Sequence, residues 1–244
     1  TSTNIGTSTS TVQAIVASVD LTLPPHPELH HQLNQLHQIP KVKGIRWILD
    51  CVGKYNGPHS ATHVATTRHD GTHHHDYLRG SEGGYDGTVV PAFERGFALL
   101  SSFGFSFDLQ CAPAQLVARH PNIPVVINHL GKPRMIMGTS HTQDTISSTD
   151  DSMTTTTELV MDEEELQNWR MGMQAMAALP HVMVKISMLG YAIPGWTGHA
   201  SRIHVMKRLV RETVALFTPQ RCMVATNFWK NAALSDADGL AAMG

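Results

Sequence analysis

Cysteine is scarce in this sequence: there are three in 244 residues, Cys51, Cys111 and Cys222. An odd count with no CxxC pair argues against a disulfide framework and points to a reducing, cytoplasmic setting. Each cysteine adjoins a strand-like run and reads as a small buried apolar residue. An excess of one charge is also lacking. Lys and Arg total 18 against 20 Asp and Glu, a formal net charge of −2. No general attraction to nucleic acid or to an anionic membrane is therefore expected. No apolar run approaches the roughly 20 residues that span a bilayer, and no basic start with an apolar signal core is visible. Neither GxGxxG nor GxxxxGK[ST] follows the first strand-like run, which weakens a nucleotide-binding reading.

What is present suits one large domain: 41% of residues are hydrophobic and 16% charged. Residues 1–11 are almost all Ser, Thr, Gly and Asn and read as a disordered lead-in. Residues 12–244 read as a single domain interrupted by polar insertions near 54–88 and 135–160. Strands are expected at Val12–Val19, Val42–Leu49, Ser106–Leu109, Ile123–Asn128, Val182–Ser187 and Cys222–Ala225. Helices are expected between them. Pro27–Gln38 carries Leu29, Leu33 and Leu36 at helical spacing, and Val90–Phe103 carries Phe93, Phe97 and Leu100. Ala112–His120, Glu163–Leu179 and His204–Leu216 complete the set, the last with Val205, Leu209 and Leu216 on its apolar side. Met171, Met173 and Met176 read as core filling rather than a copper site. Alternating apolar strands and amphipathic helices imply parallel βαβ units, in an open doubly wound sheet or in part of a (β/α)8 barrel.

Histidine is abundant, with 16 copies. His59, His63, His69, His73, His74 and His75 lie in a Gly-, Thr- and Asp-rich tract that reads as a solvated insertion. A metal-sequestering role for this tract is the competing reading. The strand ends carry a different signal. Asp20, Arg46 and Trp47, Asp108 and Gln110, Asn128 and His129, Lys185 and Ser187, and Thr226 and Asn227 each close a strand-like run. One strand must leave the core through polar residues in any case. The whole set favours a ligand-facing rim, because a parallel barrel places its active-site groups at these ends.

The runs VKGIRWIL, YLRG, GFALLSSFGFSFDLQCAPAQL, PVVINHLGKP, MAALPHVMVKIS and RCMVATNF occur in that order. Together they resemble the amidohydrolase-related family of metal-dependent hydrolases, which includes 2-pyrone-4,6-dicarboxylate lactonase and L-fucono-lactonase-type enzymes. The resemblance covers about Val12 to Asn231, apart from the insertions. It implies an α/β fold, a TIM-like (β/α)8 barrel of which about six βα units are recognisable. It also implies hydrolysis of a cyclic ester or amide by water. The implied substrate is a small molecule, an anionic lactone.

By that match His129 is a metal ligand or a group that polarises the substrate carbonyl, and Asp108 and Asn227 join it as catalytic candidates. Arg46, Gln110, Lys185 and Trp196 are the substrate-binding candidates. The resemblance implies either one divalent metal, zinc, or the metal-independent route of the lactonases. Relatives open with a His-x-His strand that this sequence does not show in its first strand. Asn227 stands where many carry an aspartate base, and an amide cannot accept that proton. Two expectations follow: a lactone hydrolase, or a catalytically impaired, ligand-binding fragment of such a barrel. A carboxylate close to His129, with Asp108 the candidate, would favour the first.

Overall fold

The computed structural model describes residues 12–47, 78–81, 84–131, 133, 136–141, 157–193 and 195–225. Six strands form one sheet: β1 (Ile15–Ser18), β2 (Val42–Arg46), β5 (Ser106–Leu109), β6 (Val125–Ile127), β9 (Val182–Ile186) and β10 (Cys222–Val224). Every neighbouring pair runs parallel. Their order across the sheet is their order along the chain. A doubly wound sheet reverses direction at a switch point, whereas this one only advances, as a barrel must. The fold is therefore α/β with the parallel sheet of a TIM-like barrel, incomplete within the described residues.

Helices α1 (His30–His37), α2 (Pro91–Phe103), α3 (Ala114–Arg119), α4 (Glu163–Ala177) and α5 (Ala200–Phe217) connect these strands. Helix α2 has Pro91 in its first turn and ends at Gly104, whose φ of 67° suits a residue without a side chain. Phe93, Phe97 and Leu100 fall on one face and are fully buried with Phe107 of β5. Burying each such side chain contributes about 1.5–3 kcal/mol at most. Gly96 of α2 lies so close to Leu21 that an added Cβ would collide with its carbonyl oxygen. This close approach seats α2 against the segment that leaves β1.

Helix α4 starts at Asp162, whose side chain accepts from the Glu165 N–H at 3.0 Å. Its buried stripe is Leu166, Trp169, Met173 and Met176, so Met173 and Met176 are core filling, whereas Met171 lies off the stripe and is only half-buried. Helix α5 begins at Ala200, four residues ahead of the expected His204 start, and its buried stripe is Met206, Leu209, Thr213 and Phe217. The expected Val205 and Leu216 only flank that stripe, half-buried. Thr213 gives its hydroxyl to the Leu209 carbonyl at 2.9 Å, which lets a polar residue occupy the inner face.

Both expected insertions contain paired strands. β3 (Leu78–Ser81) pairs antiparallel with β4 (Gly84–Val89), and β7 (Met137–His141) pairs antiparallel with β8 (Thr157–Met161). Polar composition masked them, although threonine suits a pleated strand. Cys111 is fully buried. Cys222 is half-buried, and burial raises its thiol pKa despite the opposing Arg221. Cys51, residues 1–11 and the tract His59–His75 lie outside the described residues. No helix among the described residues is long and apolar enough to cross a membrane.

Candidate active site

The sheet has two chemically different faces. Phe107, Leu109, Val125, Ile127, Val182 and Val184 are fully buried and form the side covered by helices. The alternate positions face the other way, because side chains alternate along a strand. On this inner face β2 brings Arg46 level with Asp108 of β5, and Asp108 level with Val126 of β6. Two residues beyond Val126, Asn128 keeps the ladder by donating its backbone N–H to the Leu109 carbonyl at 2.7 Å. The β6–β9 pairing, Ile127 opposite Val184, carried one step further sets Asn128 beside Lys185.

Lys185 Nζ donates to Asp108 Oδ2 at 2.5 Å. That bond reaches across the intervening β6 and joins two strand ends 77 residues apart in sequence. Asp108 is 4% exposed, and a carboxylate this enclosed requires a cation or several donors beside it. Gln110, one strand-face step beyond Asp108, is buried as well.

His129 follows β6 directly and is 6% exposed. Its Nδ1 hydrogen-bonds to Ser187 Oγ, at the end of β9, over 2.8 Å. Ser187 is itself buried. This contact orients the imidazole through its Nδ1. The chain then turns through consecutive left-handed residues: His129 at φ 56°, Leu130 at 54° and Gly131 at 72°. Such a run in two non-glycine residues costs of order 1–3 kcal/mol each and persists only when its surroundings enforce it. Trp169 supplies one enforcement, donating its indole N–H to the Leu130 carbonyl at 2.8 Å. At Gly131 an added Cβ would meet Met173 Sδ at 3.1 Å, so the turn packs closely on α4. Met188, just past Ser187, is left-handed too, with φ 45°.

Of the residues expected from sequence, Arg46, Asp108, Gln110, His129 and Lys185 thus come from three neighbouring strand ends and β9, all at one end of the sheet. The carboxylate expected beside His129 is instead engaged by Lys185, and the ring's Nδ1 partner is a serine hydroxyl. Trp196 lies in a single helical turn, Trp196–Gly198, half-buried against the core. Asn227 lies outside the described residues. Ser187 was legible as a strand-end polar residue. Its pairing with His129, 58 positions away, had no local signal. The anchoring bond from Trp169 also had none. A described cleft of about 200 Å³, lined by His37, Lys43, Phe103 and Phe105, opens at the opposite end of the sheet.

The amidohydrolase family model matches residues 42–229. An uncharacterized protein, y4mH, of Sinorhizobium fredii (strain NBRC 101917 / NGR234) is 28% identical over 157 residues, 62% of this chain and 42% of that protein. Two crystal structures of an amidohydrolase from Burkholderia multivorans, one with bound HEPES and one with bound zinc, superpose with TM-scores of 0.57 and 0.56. Their identities are 21% and 19%; each alignment covers 95% of this chain and 64% and 63% of the respective crystal chains. This chain therefore spans less than two thirds of the length of these relatives.

Proposed function

The chain belongs to the amidohydrolase family, and from that premise we propose that it hydrolyses a small cyclic ester or amide, best an anionic lactone, by attack of water on the carbonyl. The observation that carries this reading is the buried His129–Ser187 contact beside the Lys185–Asp108 pair at the strand ends. Acyl hydrolysis passes through a tetrahedral oxyanion, which positioned donors and cations stabilise. A Ser187 hydroxyl that donates to Nδ1 would leave the ring proton on Nε2, and in that tautomer Nε2 polarises the carbonyl. Arg46 and the remaining N–H bonds of Lys185 hold a substrate carboxylate. Gln110 and Trp196 complete the substrate-binding set.

A catalytic zinc takes three protein ligands. Among the described residues no group of three or more His, Cys, Asp or Glu side chains could hold a metal ion. These residues do not fit such a centre by themselves, so no step of the mechanism passes through one.

A second reading, binding without turnover, rests on the engagement of Asp108 by Lys185, which takes up the buried carboxylate best placed to serve as a base. Steady-state assays on a panel of neutral and carboxylated γ- and δ-lactones separate the two. The hydrolase reading expects turnover that favours the carboxylated members and falls about 10²–10⁴-fold in His129→Ala. Turnover undiminished in that variant, or none in the wild type, would overturn it. Saturable binding without turnover would install the second reading.

A further inference from the structure

Asn128 carries a feature that the sheet itself does not explain. The residue is 3% exposed, and its side-chain Nδ2 is enclosed with no hydrogen-bond partner among the described residues. An enclosed amide donor without a partner costs stability, and native interiors hold few of them. Its backbone, by contrast, is fully used: the N–H reaches the Leu109 carbonyl, and the carbonyl accepts from Gly131 N–H at 3.0 Å. The strand ending therefore needs the main chain at this position and not an amide side chain. An apolar side chain at this position would avoid that cost.

The placement is informative. Asn128 occupies the inner face two residues beyond Val126, the partner of Asp108. It lies level with Lys185 and directly precedes His129. Two donors, the amide and the ammonium, thus sit at the same level on neighbouring strand ends, with an imidazole next in the chain after the amide. Two donors with no acceptor shared between them fit an oxygen that arrives from outside. A carbonyl oxygen becoming an oxyanion, or a carboxylate oxygen, has that character.

We propose that Asn128 is a ligand-binding residue whose side-chain N–H donates to a carbonyl or carboxylate oxygen of the bound substrate, beside Lys185. The inference rests on the hydrolase reading for the substrate class but not for the existence of the donor. Its test uses the full chain with Asn128→Leu, which branches at the same atom but lacks the donor, and with the smaller Asn128→Ser as a second variant. Three quantities are measured: the urea midpoint without ligand, kcat/KM on a carboxylated γ-lactone, and calorimetric affinity for the corresponding cyclic ketone carboxylate, which cannot be hydrolysed.

The expected result is an unchanged or raised urea midpoint for Asn128→Leu, affinity for the ketone weakened about tenfold or more, and kcat/KM reduced about 10²-fold. Stability kept while binding is lost is a signature that a structural role does not produce. Affinity and kcat/KM within about twofold of wild type in a folded variant would overturn the proposal, as would a midpoint that falls in both variants with binding preserved. Wild-type binding of the ketone that depends on Asn128, without any lactone turnover, upholds this donor and refutes the hydrolase reading. A wild-type chain that neither binds nor turns over refutes both.

Discussion

At the scale of single residues, the informative contact is Lys185 with Asp108. The Asp108 side chain is 5% exposed and that of Lys185 23%, so the pair stands between a surface bridge and a fully buried one. Removing the cation alone leaves an enclosed carboxylate unpaired. Lys185→Met should therefore cost about 3 kcal/mol in urea unfolding, the lower end of the range for broken buried pairs. Adding Asp108→Asn should restore most of that loss. A single variant within about 0.5 kcal/mol of wild type would show that the pair carries no stability. Ser187→Ala tests the other contact. If the proposed hydrolase activity holds, it should lower lactone turnover about 10-fold with little change in affinity, through a less fixed His129 ring; equal turnover would show that Ser187 does not position the ring. The sequence marks both residues as strand-end polar groups. It does not pair them, because residues 77 positions apart on non-adjacent strands meet only after the sheet forms.

At the scale of elements, Arg221 ties the ends of two helices to a strand. Its Nε donates to the Phe217 carbonyl at 2.9 Å, closing α5. Its terminal nitrogens donate to the Ala177 and Leu179 carbonyls, both at 3.0 Å, and to Val182 at 3.3 Å. These are the last carbonyl of α4, one in the turn that follows it and the first of β9, groups that a chain leaving a helix otherwise keeps without partners. An ammonium cannot fork across all four. Arg221→Lys should thus lose about 1–3 kcal/mol in chemical denaturation, and an unchanged midpoint would refute this account. The elements themselves were largely legible. Proline at the start of α2, acids at the start of α4 and the Phe93/Phe97/Leu100 stripe each mark a helix by a local physical rule. The two ribbons were not, because rules that equate Ser, Thr and Gly with loops overlook how readily threonine accepts a strand once a partner lies alongside.

At the scale of the whole molecule, helices that wrap the sheet are bound to each other by charge. Glu94 of α2 takes a forked bond from Arg119 of α3 at 2.7 and 3.1 Å, and His120 lies 3.2 Å away. The Arg119 hydrogen bond holds the Glu94 carboxyl below its ordinary value of 4.5; burial opposes this and His120 assists it. A carboxyl that releases its proton more readily when folded adds stability that is complete above its unfolded pKa. That stability is lost as pH falls through the folded value. Thermal midpoints measured downward from pH 6 should therefore drop more for the wild type than for Glu94→Gln below about pH 4.5; parallel curves would refute the linkage. The sequence by itself determined which segments become the strands of the parallel sheet and the helices over it, since hydrophobic period and capping chemistry act within a few residues. It also determined that polar groups, His129 among them, close those strands. Only the tertiary structure decided that the strands advance in one direction around a sheet. The same structure decided that Lys185 reaches Asp108, that Ser187 takes the His129 ring, and that the Asn128 amide nitrogen is enclosed without a partner among the described residues. These are contacts between strands, and their geometry exists only once register and twist have brought distant positions to the same level.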